Sequence, residues 1–182
     1  SLNAVTRSKS EPIIISPLML PSFASRFSRT INRRLLSRAL TNAVPQHLDG
    51  DPVVITTLPT TADLVGHIPA SRWIYYCVDD FAAWPGLDSR TLATMECELL
   101  AKVDAVAAVS HVLARRAAAA GREAMLLTHG IDSAAWNKPF VPADHSVLHA
   151  LAESPRPRAL YWGLIDERLD ADLVRSLAAR TT

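Results

Sequence analysis

Apolar residues fall along this chain in short β-branched runs separated by longer segments with helical spacing. Runs of the first kind are Ile13–Ser16, Val53–Thr57, Trp73–Val78, Ala105–Val109, Ala124–Leu127 and Ala159–Trp162, each short enough for one strand. Between the first two, SRFSRTINRRLLSRAL brings Phe27, Ile31, Leu35, Leu36 and Leu40 near one face at helical spacing, which predicts an amphipathic helix. SRTLATMECELLAKVD repeats the pattern, with Leu92, Met95, Leu99 and Leu100 on one side and Glu96, Glu98 and Lys102 largely on the other. Asp88 or Ser89 suits the N-cap of that helix, and Ser110 and Gly121 suit the start and stop of the next. Strands alternating with helices predict parallel strands joined by crossovers. Because the strands are continuously apolar rather than alternating, the expected fold is α/β, a Rossmann-like parallel sheet with helices on both faces.

From Asn137 to Arg158 the pattern lapses into NKPFVPADHSVLHALAESPRPR, with four prolines and few strand signals. The strand, turn and helix pattern then restarts in ALYWGLIDERLDADLVRSLAAR. The expected organisation is a Rossmann-like domain over residues 11–136, a linker over 137–157, and the first βα unit of a second Rossmann-like domain over 158–182. The start on Ser1, ahead of a polar SLNAVTRSKSEP, predicts a piece of a longer protein.

Composition narrows the function classes. The 182 residues are 49% hydrophobic with a formal net charge of +1, a globular composition without the broad basic field of an electrostatically driven nucleic-acid binder. Arg26, Arg29, Arg33, Arg34 and Arg38 form a local basic cluster, which is a solvated helix face or a contact for an anionic membrane or substrate. The two cysteines, Cys77 and Cys97, have no metal-ligand spacing, so no metal site is expected and a reducing cytoplasm is the simplest setting. No apolar run approaches the ~20 residues of a membrane span.

Ligands of doubly wound sheets bind beyond the carboxyl ends of the strands, so the residues that follow each strand are the candidates for chemistry. The second of the central runs ends in WIYYCVDDFAAWPGLD, on two adjacent carboxylates. Asp79 and Asp80 either cap the turn and meet solvent, or project into a cleft to accept hydrogen bonds from substrate hydroxyls or take a proton. Phe81 and Trp84 either pack the loop or stack on a sugar-like ring. Ser110 is a helix cap first and an anion-binding hydroxyl second. His129 is a half-buried turn residue or a ligand contact, Gly130 is expected to adopt a backbone form or close approach closed to other residues, and Asp132 is the expected N-cap of a short turn through Trp136.

In order, IYYCVDD, MECELLAKVDAVAAVSHVL, LLTHGIDSAAW and ALYWGLIDERLDADL resemble the family 4-like glycosyltransferases of the GT-B fold, particularly bacterial saccharide and cell-envelope enzymes. The resemblance spans roughly residues 12–180 and lies in the ordered set rather than in any one motif. It implies an enzyme that transfers a sugar from a nucleotide-diphosphate sugar to a saccharide or lipid-linked acceptor, without other cofactor, in the cytoplasm or on the inner membrane face. By resemblance Glu96 takes the helix glutamate position and Asp104 and Ser110 bracket a strand. His129, Gly130, Ile131 and Asp132 take the interdomain turn, and Gly163 opens the donor-phosphate loop. Asp79, Asp80 and His129 would then stand on the acceptor side of the cleft. Where relatives place an arginine after the glycine, this chain has Leu164, which leaves Arg168 as the substitute. The paired-glutamate donor signature would lie beyond Thr182, and the first strand with its glycine-rich turn before Glu11, so the chain alone is expected to be inactive or nearly so. A nucleotide-sugar epimerase on the same fold and a non-catalytic, magnesium-binding receiver-like domain are the alternatives.

Overall fold

The computed structural model describes residues 14–43, 50–138, 153, 156–161 and 163–180. Contacts divide the chain into two compact units, Ser1–His129 and Gly130–Thr182.

The first unit is built on four parallel strands, β1 (Val53–Thr56), β2 (Arg72–Cys77), β3 (Ala105–Ala108) and β4 (Met125–Leu126), in the order β1-β2-β3-β4. Around them lie α1 (Arg26–Ala43), α2 (Ser89–Lys102) and α3 (His111–Ala119), with short 3-10 turns at Pro59–Asp63 and Phe81–Ala83. Of the expected strands, β1 to β3 form close to their predicted bounds. The fourth shrinks to two residues, although Leu127 N still donates to Ala108 O at 2.8 Å. Ile14–Ser16 is not a strand, nor is the described stretch Ala159–Tyr161, and Ile13 and Trp162 lie outside the described residues. Much of the expected linker, including residues 139–152, lies outside them as well.

Strand order explains one departure from expectation. Parallel crossovers are right-handed, so connections that always step the same way along a sheet stack on one face. Here the chain order and the spatial order coincide. Burial agrees: Trp73, Tyr75 and Cys77 of β2, and Val106 and Ala108 of β3, are buried against the helices. On the other face, Val53 and Ile55, in register with Arg72 and Ile74, are 55% and 65% exposed, and Met125, in register with Ala107, is 66% exposed. Among the described residues the helices therefore cover one face rather than two, and the sheet has no switch point between strands of opposite sense of progression.

Helix α2 is the main partner of that face. Asp88 is its N-cap, accepting from Thr91 N at 3.0 Å and from Thr91 Oγ1 at 2.7 Å. Met95, Leu99 and Leu100 are buried as the spacing predicts, and Met95, Leu99 and Tyr75 are among the largest fully enclosed side chains. Helix α1 departs from its predicted face. Phe27 is 74% exposed and Leu35 40%, while Ser28 and Asn32 are buried and Leu36 and Leu40 pack on the core. The reason is polar. The Asn32 carboxamide accepts from Leu20 N at 2.7 Å and donates to Leu20 O at 3.1 Å and Ser22 O at 3.3 Å, so this face of α1 holds the preceding chain. Satisfying a backbone segment on both its N–H and C=O sides offsets the cost of burying the amide.

A guanidinium joins α1 to the sheet cover. Arg29 bonds Asp63 through Nε and Nη2 at 2.8 and 2.6 Å, and bonds both carboxylate oxygens of Glu98 on α2. Its own pKa rises, chiefly through the Asp63 hydrogen bond. Burial pushes Asp63 up, but the bond and charge of Arg29 outweigh it and leave that carboxyl below its ordinary value; Glu98 is lowered mainly by the same guanidinium.

In the second unit, Asp132 caps α4 (Ser133–Trp136) and Asp170 caps α5 (Ala171–Ala179). No residue of either helix is buried.

Candidate functional site

Parallel register brings the ends of three strands to one edge. Cys77 is level with Ala108, and Ala108 with Leu126, so Asp79, Ser110 and the start of Thr128–His129 leave the sheet side by side. The sequence singles out these positions, and the structure assembles them on a common rim.

The two aspartates of that rim behave differently. Asp79 Oδ1 accepts from the amide of Asp80 at 2.8 Å, a local turn contact. Asp80 opens the Phe81–Ala83 turn without a side-chain cap and instead reaches Arg116 on α3, with Oδ2 to Nη1 at 2.6 Å. The second arm of Arg116, Nη2, lies 3.2 Å from Glu96 Oε2. The other oxygen of Glu96 accepts from Tyr75 Oη at 2.8 Å, with Cys77 Sγ at 3.7 Å. A chain of partners thus runs Asp80, Arg116, Glu96, Tyr75, from the rim into the core. The pairing with Asp80 leads in raising the pKa of Arg116, which keeps it a cation. Burial first, then Cys77 and Glu96, drives the Tyr75 phenol up, and burial likewise raises the Cys77 thiol, so both stay neutral donors to the carboxylate. A cavity of about 360 Å³ between β2, α2 and α3 borders this network, lined by Tyr75, Cys77, Glu96, Cys97 and Arg116 with alanines and leucines.

Sequence reading missed this network. It set Glu96 on the solvent side of α2, yet the Glu96 side chain is only 14% exposed. The signal was spacing: Glu96 precedes Leu99 and Leu100 by three and four positions, and Arg116 follows Leu113 by three and adjoins Ala117, so both flank buried residues.

The remaining candidates divide. The rings of Phe81 and Trp84 are 5.8 Å apart at 38°, two partly exposed aromatics beside the aspartates. Ser110 caps α3, its Oγ accepting from Leu113 N at 3.3 Å. His129 stands edge-on to Tyr76 with centroids 6.4 Å apart, and Tyr76 Oη donates to Leu127 O at 3.1 Å, which ties the end of β4 to β2. Asp104 sits at the opposite end of the sheet, where Oδ2 accepts from Trp73 N at 2.7 Å and aligns β2 with β3. Gly130 departs from expectation: it has no positive φ, and an added Cβ would meet nothing within 4 Å, so its lack of a side chain answers no steric demand here.

In the second unit Asp132 is the N-cap, accepting from Ala134 N and Ala135 N at 3.0 and 3.1 Å. A Cβ on Gly163 would lie 2.9 Å from Tyr161 Oη, the hydroxyl that donates to Leu164 O. Arg168 grips Asp166 with Nε and Nη2, the latter at 2.6 Å, and this bond lowers the Asp166 carboxyl below its ordinary value.

Among the described residues no group of three or more His, Cys, Asp or Glu side chains is placed to hold a metal ion, and no helix is long and apolar enough to cross a membrane. Compared with models of protein families, with curated proteins and with solved structures, the chain matches none.

Proposed function

We propose that this chain is the acceptor-side part of a glycosyltransferase of the GT-B type, which moves a sugar from a nucleotide-diphosphate sugar to a saccharide or lipid-linked acceptor. One observation carries the reading: an acidic pair and two aromatic rings follow directly on β2, at the carboxyl-end rim of a parallel sheet, beside Ser110 and His129. Sugars offer hydroxyl edges and apolar C–H faces, and carboxylates with flanking aromatics match both. In that chemistry the protein must hold an acceptor hydroxyl against the anomeric carbon and stabilise the departing diphosphate, so positioning and electrostatics do most of the work. The acidic rim serves the acceptor. Gly163 and Arg168 in the second unit serve the diphosphate, and Arg168 would exchange Asp166 for phosphate oxygens when donor binds.

The test is incubation of the full-length protein with a panel of radiolabelled nucleotide-sugars and saccharide or lipid-linked acceptors. Label appearing in an acceptor is the expected result. An epimerised nucleotide-sugar with no acceptor product overturns the reading.

An accompanying part of the proposal concerns α1. Arg34 and Arg38 are exposed there, while Arg29 is held by its two carboxylates and Arg33 donates to His67 Nε2 at 2.8 Å. Exposed arginines on one helix suit docking on an anionic bilayer, as a lipid-linked acceptor requires. Co-sedimentation with phosphatidylserine vesicles is expected to weaken with Arg33→Glu plus Arg34→Glu, and unchanged binding removes this part.

A further inference from the structure

We propose that the acidic pair is divided in function, with Asp79 the carboxylate that receives an acceptor hydroxyl and Arg116 a positioning residue that holds Asp80 out of that role. This rests on the glycosyltransferase reading for the identity of the ligand, but the division itself rests on the geometry of the rim.

Adjacent aspartates are equivalent in sequence and not in structure. Asp80 is committed: Oδ2 is 2.6 Å from Arg116 Nη1, and Oδ1 is shut off from solvent with no hydrogen-bond partner among the described residues. One oxygen is thus enclosed, and the other, at the surface of a side chain that is 40% exposed, is already held by the guanidinium. Asp79 spends only Oδ1, on the amide of Asp80, while Oδ2 has no partner among the described residues and is not among the enclosed polar atoms. A carboxylate with one oxygen anchored and the other open is oriented and still able to accept.

The anchor of Asp80 is itself anchored. Arg116 is bound on its far side by Glu96, and Glu96 by Tyr75, a fully buried residue of β2. A guanidinium forked between two carboxylates has one low-energy orientation, so Asp80 and the turn it begins are fixed relative to the strand. That turn carries Phe81 and Trp84, whose ring pair supplies the apolar wall beside Asp79. Arg116 therefore does two things at a distance from the ligand. It places a positive charge against one member of the pair, and it sets the angle of the aromatic wall. The ligand that suits this corner is a pyranose, with one hydroxyl on Asp79 Oδ2 and its C–H face on the rings.

Carboxylate footprinting with a water-soluble carbodiimide and glycine ethyl ester, mapped by mass spectrometry on the full-length protein, reads the division directly. Asp79 is expected to label severalfold faster than Asp80. Arg116→Met is expected to bring Asp80 up to the rate of Asp79, while Arg116→Lys, which keeps the cation, keeps Asp80 slow. Equal labelling in the unaltered protein overturns the proposal whether or not the variants fold. In the transfer assay Asp79→Asn is expected to lower kcat by about 100-fold or more, the scale of losing a positioned general base or hydroxyl acceptor. Asp80→Asn and Arg116→Lys should act mainly on KM. A larger kcat loss from Asp80→Asn than from Asp79→Asn also overturns the division. Absence of transfer with every donor would sink the glycosyltransferase reading instead, and the labelling ratio would still decide the roles of the two carboxylates.

Discussion

Helices α2 and α5 begin alike and end up in opposite surroundings. Each opens on an aspartate whose Oδ1 accepts from the backbone three residues on, at 3.0 Å for Asp88 and 2.8 Å for Asp170. Each carries leucines at helical spacing. In α2 Leu99 and Leu100 are enclosed, Leu99 at 0% exposure; in α5, Leu173, Val174 and Leu177 are between 46% and 57% exposed. A local cap and an amphipathic pattern are enough to specify a helix, but burial needs a surface to receive it. For α2 that surface is the Trp73, Tyr75 and Cys77 face of β2; beside α5 no strand lies among the described residues.

The contrast is broken most sharply by truncating the core. Leu99→Ala should destabilise the first unit by about 3 kcal/mol, the usual cost of a leucine cavity in a packed interior. Chemical denaturation followed by tryptophan fluorescence measures it, and a loss near zero would mean that α2 is not the main cover of the sheet. Next comes the clamp that ties α1 to α2. Arg29→Met leaves Asp63 and Glu98 without their cation and should cost about 2 kcal/mol at neutral pH, the scale of charged hydrogen bonds. The sign of the pH dependence follows from both carboxyls lying below their ordinary values in the folded state. Their contribution is complete above the unfolded carboxylate range and is lost as pH falls through the folded values, in the region below about pH 4. Acid denaturation of the unaltered protein should show that loss, and the Arg29→Met variant should show a shallower one.

A smaller effect is expected at the cap of α3. Ser110→Ala removes the acceptor for Leu113 N and should cost about 1 kcal/mol. If sugar transfer falls far more than stability does, Ser110 touches ligand in addition to capping. Smallest of all, Leu177→Ala on α5 should shift stability by no more than about 0.5 kcal/mol, as exposed substitutions do. A loss as large as that of Leu99→Ala would show that α5 is covered in solution, and would erase the contrast between the two helices.

Much of the frame could be read from the residues alone. The central strands, the start of α2 at Asp88, of α3 at Ser110 and of α4 at Asp132, and the stop at Gly121 with its φ of +79° all follow from short-range chemistry: β-branched runs, side-chain oxygens that satisfy free amides, and a glycine that accepts a left-handed turn. The predicted strand at Ile13–Ser16 did not follow, since its described part, Ile14–Ser16, pairs with no neighbour, and a strand exists only when another supplies its hydrogen bonds. Hydrophobic spacing also misjudged α1, because a buried asparagine, which reads as polar, is the residue that fastens the helix. At the rim the position of the acidic pair was legible and its internal asymmetry was not.

What the sequence determined by itself, then, is where the chain turns, which segments can be strands or helices, and that Asp79 and Asp80 leave the end of a buried strand, because each of these depends on neighbours within a few residues. What only the tertiary structure decided is which of the two carboxylates is taken. That depends on Arg116, which is 36 residues further on by its number and meets Asp80 across 2.6 Å only because β2 and β3 pair in parallel and carry α3 to the same rim. Neighbours in sequence share a local chemistry, but an ion pair is settled in space.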